Sequence, residues 1–399
     1  MTGRPRPGQV DGLSRDRLAA WLADVDGGRL TRREFVARAA ALGVSASAVG
    51  MLLAACGDGD KGGGDGGPGP IESTMPATLN MFNWAEYLSA KVKKQFQAQN
   101  KCAVNEILFD SNEQCVAGVE KKPDAYDVCF PEEWAAEVLM KAGLLYPLDM
   151  KLIPNFANVT DPSFRKPPYD PETDGKKYTV PYMFGSIGFG TRLDLVPDPP
   201  DSWEALYDKR YKKKITMLDG AREVLGPALF LMGTDPNTTD QAQIDEATQR
   251  AIQQKALVAK YDSADMTANM ESGKYVFVEC WDGDAIGAMN SIGLSKIRYV
   301  LPSEGYVVWA DALCIPKSSP HVYAAHLFLN FLLDVKVTAE NANYTGYQPV
   351  VEAADPLIKS LVQRAMRPTP EQIASGIYIQ DLGADNAKYD AAWEKVQQA

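Results

Sequence analysis

The sequence predicts an α/β protein of two lobes, and three observations support that class. The 399 residues are 45% hydrophobic and 23% charged, a globular balance in a chain long enough to bury a sizeable core. Short apolar strands alternate with amphipathic helices from residue 78 onward, the order that gives layered α/β folds with a largely parallel sheet. After a proline-rich middle the same alternation resumes, so the pattern is doubled.

In order, the periodicity predicts strand 78–83, helix 89–99, strand 103–109, helix 112–121, strand 126–130 and helix 132–142. Beyond the proline-rich middle it predicts strand 215–218, helices 221–232 and 240–254, strand 275–281, helix 284–291 and strand 297–301. Strand 307–315, helix 319–333 and a terminal helical run 387–397 complete the body. Ligands of such folds sit at the carboxyl ends of strands or in a cleft between lobes.

Charge divides the chain. The net −11 splits into a leader, residues 1–55, with eight arginines against five acids, and a remainder with 33 basic against 47 acidic residues. An acidic body is a poor partner for nucleic acid or anionic membrane. Two histidines, His321 and His326, leave little material for imidazole acid–base chemistry or a histidine-built zinc site. The leader holds Arg32-Arg33, then an uncharged run of 17 residues from Ala39 to Ala55, shorter than the ~20 needed to span a bilayer. That is the shape of an export signal. Gly57 to Pro70, with eight glycines and three aspartates, cannot bury surface and is expected to act as a tether.

Aromatic and acidic residues recur together where the predicted strands stop. Asn83-Trp84-Ala85-Glu86-Tyr87 closes the first strand; Glu132, Glu133 and Trp134 follow the third. Asp219 and Glu223 flank a strand-to-helix turn, Trp281-Asp282-Gly283-Asp284 ends a strand of the second half, and Trp309-Ala310-Asp311 lies at the next crossing. Taken singly, a tryptophan at a strand end is more often core than ligand box, and Glu223 has the ordinary first-turn role of an acid facing the helix macrodipole. Five repetitions of the pairing point instead to an organic cation. Aromatic faces attract ammonium by roughly 0.5–2 kcal/mol each, and carboxylates fix its ends by charge-assisted hydrogen bonds. Calcium or magnesium needs clustered oxygens, and no EF-hand-like spacing occurs.

These segments resemble the spermidine/putrescine-binding proteins of bacterial polyamine ABC transporters, from Leu79 to about Gly383. Further landmarks are Tyr126-Asp127-Val128, Ile153-Pro154-Asn155-Phe156-Ala157-Asn158, Pro181-Tyr182-Met183-Phe184-Gly185, Asp219-Gly220-Ala221-Arg222-Glu223-Val224 and Gly346-Tyr347. The resemblance implies a two-lobe periplasmic-binding-protein type II architecture with a ligand cleft at the hinge. It implies lobe 1 at 77–183 and 311–352, and lobe 2 at 184–310 and 353–399. It implies that Trp84 and Tyr87 wall the pocket, that Trp281 and Trp309 sandwich the ligand, and that Glu223 and Asp311 hold amino groups. Tyr347, Gln380 and Asp284 match further ligand contacts, and Glu86, Glu132 and Trp134 complete the expected set. Ala85 and Gly220 depart from the family by losing a hydroxyl and an acid, while Glu132 and Trp134 stand where a serine and a tyrosine are usual.

In the leader, Thr31-Arg32-Arg33-Glu34-Phe35 resembles the twin-arginine export motif, and Leu53-Ala54-Ala55-Cys56 resembles a bacterial lipobox. Together they imply cleavage before Cys56, lipid on its thiol, and a mature chain anchored to the outer face of the cytoplasmic membrane, with 56–76 as lipidated cysteine and tether. The expected function is a monomeric, cofactor-free, metal-free substrate-binding lipoprotein delivering putrescine or spermidine to an ABC permease. A receptor or binder for another cation such as agmatine is the alternative. An exported enzyme is more distant, because no P-loop, G-x-G-x-x-G, G-x-S-x-G elbow or metal-spaced histidine pair occurs. The remaining cysteines are Cys102, Cys115, Cys129, Cys280 and Cys314; the last three fall in apolar strand patterns and are expected to be buried small residues.

Overall fold

The computed structural model describes residues 71–109, 111–172 and 175–399. The arginine pair, the uncharged run and Cys56 lie outside the described residues. Leu382–Ala387 groups apart from the body, which runs through Asp381 and again from Lys388 to Ala399.

The first half of the body begins with β1 (Thr78–Asn83), α1 (Ala90–Asn100), β2 (Ala103–Leu108), α2 (Asn112–Lys121), β3 (Val128–Cys129) and α3 (Glu133–Lys141). Serine oxygens start the first two helices: Ser89 accepts from the Lys91 N–H and Ser111 from that of Gln114. β1 lies parallel to both β2 and β3. A short helix α4 (Pro162–Arg165) precedes β4 (Thr179–Arg192). There follow β5 (Ile215–Met217), α5 (Ala221–Leu231), α6 (Gln241–Lys255), β6 (Val258–Tyr261), α7 (Met266–Glu271), β7 (Phe277–Trp281), α8 (Asp282–Ile292) and β8 (Ile297–Val300). The chain then crosses back through β9 (Val307–Cys314), α9 (Val322–Leu332), α10 (Val335–Thr345) and β10 (Gln348–Pro349), and ends in α11 (Leu361–Ala365), α12 (Pro370–Ser375) and α13 (Asn386–Gln398).

The sheet order is β2-β1-β3-β9-β4-β7-β5-β6, with β8 and β10 also on β4. It is mixed, which corrects the expectation of a largely parallel sheet. β5 is parallel to β6 and β7, but β4 is antiparallel to β7, β8, β9 and β10, and β3 to β9. The reason is β4, which the sequence left inside the proline-rich middle. All 14 of its residues are buried, so no period-2 alternation marks it, and Pro181, Gly185, Gly188 and Gly190 disguise it further.

β4 pairs with β9 from Thr179 to Ile187 and with β7 from Ile187 to Thr191, so one strand serves both halves. Two large apolar cores flank this crossing. One collects Leu79, Val128, Phe184, Leu313 and Phe328; the other collects Phe189, Ile215, Phe277, Ile286 and Val300. Ala354, Ile358, Ile373 and Tyr378 pack into the first of these. His326 is fully buried in α9, with Nδ1–H donating to the Val322 carbonyl at 2.7 Å and Nε2 accepting from the Asp149 N–H at 2.9 Å. Both ring nitrogens are satisfied, so this histidine is a packing residue.

Candidate functional site

The carboxyl ends of β1, β3, β5 and β7 and the middle of β9 supply the candidate residues. Asp311, 4% exposed, accepts a hydrogen bond from the Tyr87 hydroxyl. The Tyr87 ring meets Tyr182 and Tyr347 edge-on, at 5.4 and 6.1 Å between centroids. Trp309 stands edge-on to Tyr347 at 5.1 Å, and its buried indole N–H has no partner among the described residues.

Two glycines make this aromatic corner. Gly185 is the register partner of Trp309, and a Cβ there would lie 2.5 and 2.7 Å from the indole ring. At Gly283 a Cβ would lie 2.5 Å from the Tyr347 ring. Both rings therefore lie directly on bare backbone. The left-handed turn at Gly346, φ 82°, ends α10 and delivers Tyr347 to that place.

Around these rings stand carboxylates. Asp282, 1% exposed at the start of α8, accepts from the Ser186 N–H at 3.3 Å through one oxygen, while the other has no partner among the described residues. Asp284 accepts from the Thr267 hydroxyl at 3.1 Å. Glu132 accepts from the Asn112 amide at 2.7 Å and the Trp134 indole at 3.1 Å. Glu133 accepts from the Ala310 N–H at 3.2 Å. Glu223 is half-buried in the first turn of α5, and the fully buried Glu279 accepts from the Leu218 N–H at 3.0 Å, its second oxygen without a partner among the described residues.

Among the described residues, none of these carboxylates forms an ion pair. Burial without a countercharge resists ionisation. It pushes Asp282 to about 7 and Asp284 to about 6. Burial, with the Glu223 charge adding to it, lifts Glu132 to about 7. Desolvation likewise raises Glu223, Glu279, Glu133 and Asp311, the last also opposed by Glu132. After burial itself, Asp284, Asp282, Asp311 and Glu132 raise the Tyr347 hydroxyl, so four carboxylates share the field around one ring.

The structure thus brings Tyr87, Glu132, Trp134, Asp284, Trp309, Asp311 and Tyr347 into one region, with Glu223 coupled to it through Glu132. Trp281 is half-buried against the second core. Trp84 turns inward: its indole donates to the Phe130 carbonyl at 2.8 Å and its ring meets Phe109 at 4.4 Å. Glu86 is exposed with φ 56°. Gln380 is exposed too, its backbone N–H donating to Asn237 at 2.9 Å. Asp282, Glu133 and Glu279 lie here in addition to the residues the sequence predicts for the site; a lone acid inside the apolar run Phe277–Trp281 is the available signal for the last.

No group of three or more His, Cys, Asp or Glu among the described residues is arranged to hold a metal ion. The site offers oxygen acceptors, aromatic faces and no opposing cation, which suits a ligand bringing its own positive charges.

Comparison with known proteins agrees with this chemistry. Residues 91–366 match the family described as bacterial extracellular solute-binding protein. The spermidine/putrescine-binding periplasmic protein of Salmonella typhimurium is 30% identical over 324 residues, 80% of this chain and 91% of that one. The putrescine/agmatine-binding protein of Pseudomonas aeruginosa is 27% identical over 308 residues, 73% of this chain and 82% of that one. Among solved structures, the spermidine/putrescine ABC transporter substrate-binding protein of Streptococcus pneumoniae superposes with a TM-score of 0.72 at 26% identity, covering 80% of this chain and 98% of that one. A lipoprotein of Treponema pallidum gives 0.72 at 25% identity, covering 80% and 99%. Two α/β halves crossed by a shared strand and the extent of these matches lead to one conclusion: the chain belongs to the bacterial extracellular solute-binding protein family.

Proposed function

We propose that this protein binds a polyamine such as putrescine or spermidine in the cleft around Trp309 and Tyr347 and presents it to an ABC permease. The observation that carries the reading is the set of carboxylates lacking ion pairs, among the described residues, beside aromatic rings that meet edge-on. Ammonium groups supply the missing charge, and the rings cover the methylene chain. The two halves, taken as 77–183 with 311–352 and 184–310 with 353–399, close on the ligand about the β4 and β9 crossing. No bond is made or broken.

Delivery to a membrane partner fits a lipid anchor at Cys56 reached by twin-arginine export, a reading supported by the leader motifs and by the likeness to a lipoprotein. Agmatine is the second candidate ligand, favoured by the putrescine/agmatine-binding relative and by the surplus of acids, which suits a planar guanidinium.

A thermal-shift panel of putrescine, cadaverine, spermidine, spermine and agmatine tests the ligand class. Ligand at 100 times its dissociation constant adds ~2.7 kcal/mol of stability; absence of a shift with every amine contradicts the reading. Lys94→Gln, at an exposed position on α1, is expected to leave amine affinity unchanged.

pH gives a further expectation. Carboxylates at about 6–7 in the folded, ligand-free protein against about 4 when unfolded bind more protons folded than unfolded across that window. Their contribution to stability is therefore full below pH ~4 and is lost as pH rises through 7. A bound amine reverses the loss by favouring the charged forms. The amine-induced rise in Tm is expected to be larger at pH 8 than at pH 5.5, and equal shifts would contradict it.

A further inference from the structure

A third apolar cluster holds a group of side chains the binding reading does not use. Cys115, Cys129 and Cys314 are each 0% exposed and share one apolar cluster with Phe82, Phe109 and Leu145. All three are free thiols in this structure. Burial raises the Cys129 thiol, and the adjacent Cys115 and Cys314 add to that rise. Cys129 and Cys314 are also direct register partners across the antiparallel β3–β9 pair, with the Cys314 Sγ 3.7 Å from the Cys129 carbonyl oxygen. Directly opposed antiparallel residues hold their Cα atoms about 4.5–5.5 Å apart, inside the range a disulfide spans.

Their spacing ties them to the cleft. Cys115 follows Asn112 by three residues on α2, Cys129 precedes Glu132 by three, and Cys314 follows Asp311 by three on β9. Asn112 holds Glu132, and Asp311 holds Tyr87. The three thiols thus meet where the segments carrying these groups come together. Cys102 and Cys280 belong to the other two cores and are separate from the trio.

We propose that Cys129 and Cys314 form a cross-strand disulfide in the exported protein, with Cys115 as the adjacent thiol able to exchange into it, and that this bond braces the floor of the cleft. The two thiols lose two protons and two electrons as the S–S bond forms. The electrons pass to the disulfide of a thiol oxidoreductase, which becomes its dithiol, a reaction suited to an exported chain. Apolar burial keeps the Cys129 thiol protonated, which slows attack in the closed fold and favours oxidation during transient opening.

The test is oxidation of the purified native protein with oxidised glutathione, then denaturation, alkylation and peptide mapping by mass spectrometry without reductant. The expected product is one cross-linked peptide pair joining Cys129 to Cys314, two hydrogens lighter than the free peptides, with Cys115 alkylated. Cys115→Ser is expected to keep that pair, and Cys314→Ser to divert Cys129 to Cys115. Because the bond would close a loop 185 residues apart in sequence, oxidation is expected to raise Tm by about 5 °C, reversed by reductant. Alkylation of all three cysteines after oxidation, or a pair involving Cys102 or Cys280, would overturn the proposal. Neither outcome depends on which ligand the cleft takes.

Discussion

Asp311→Asn is expected to weaken amine binding by roughly 10²- to 10³-fold. The carboxylate is 4% exposed, and its one hydrogen-bond partner among the described residues is the neutral Tyr87 hydroxyl, with no ion pair among them, so an ammonium is the countercharge it lacks there. Removing one member of a buried charge pair typically costs about 3–5 kcal/mol, and each 1.4 kcal/mol is tenfold in affinity. Asparagine keeps the shape and an oxygen to accept from Tyr87. The ligand-free variant is therefore expected to melt no lower than the parent, and higher at pH 8, where the parent carries more buried charge. Titration calorimetry and thermal melts together check both statements. An affinity loss accompanied by a lower Tm would mean a damaged fold instead of a lost charge.

The second large effect is expected at Gly185→Ala. A methyl there would overlap the Trp309 ring, at 2.5 and 2.7 Å from two of its carbons, and would also meet the Asp282 carboxylate. Real Cβ atoms do not approach that closely, so Trp309, Asp282 or β4 itself must move. Because β4 pairs with β9 and β7 on either side, the strand has little freedom, and the ring and carboxylate are expected to give way. Overpacking of this kind costs about 1–3 kcal/mol. Affinity is expected to fall by more than tenfold and Tm to drop, with loss of near-ultraviolet circular dichroism from the displaced tryptophan. Unchanged binding would contradict the placement of Trp309 and Asp282 in the site.

Much of the fold was legible because several elements carry their own period and caps. Helix 112–121 and strand 78–83 have the bounds that their periodicity predicts. The sequence predicts five residues for β3, which has two; Asp127, just before it, still donates its N–H to the Asn80 carbonyl while its carboxylate accepts from the Asn80 N–H, Ser319 and His321. β4 escaped notice because a strand buried on both faces has no alternation, and its glycines are spaces for side chains far away in sequence. The sequence pattern does not mark α10 either.

The site was legible in its residue types and less so in its directions. Aromatic and acidic pairs at strand ends pointed to Tyr87, Glu132, Trp309 and Asp311, which do meet. At Trp281-Asp282-Gly283-Asp284 the sequence offered two acids; the deeper one, Asp282, lies under Gly185, a fact set by long-range pairing of β4 with β7 and β9. Glu86 has the right chemistry at the right strand end, but a left-handed backbone turns it to solvent. Such choices depend on rotations of a single residue, which composition and spacing do not encode.

The central claim is that unpaired buried carboxylates form a site for a polycation. Titration calorimetry of the purified protein with spermidine, and separately putrescine, at pH 7 in two buffers of different ionisation enthalpy tests it most directly. Binding with heat that depends on the buffer, reporting protons released as the ammonium groups take their place, is the expected result. Absence of binding by every amine, or binding with no proton release, would contradict the account.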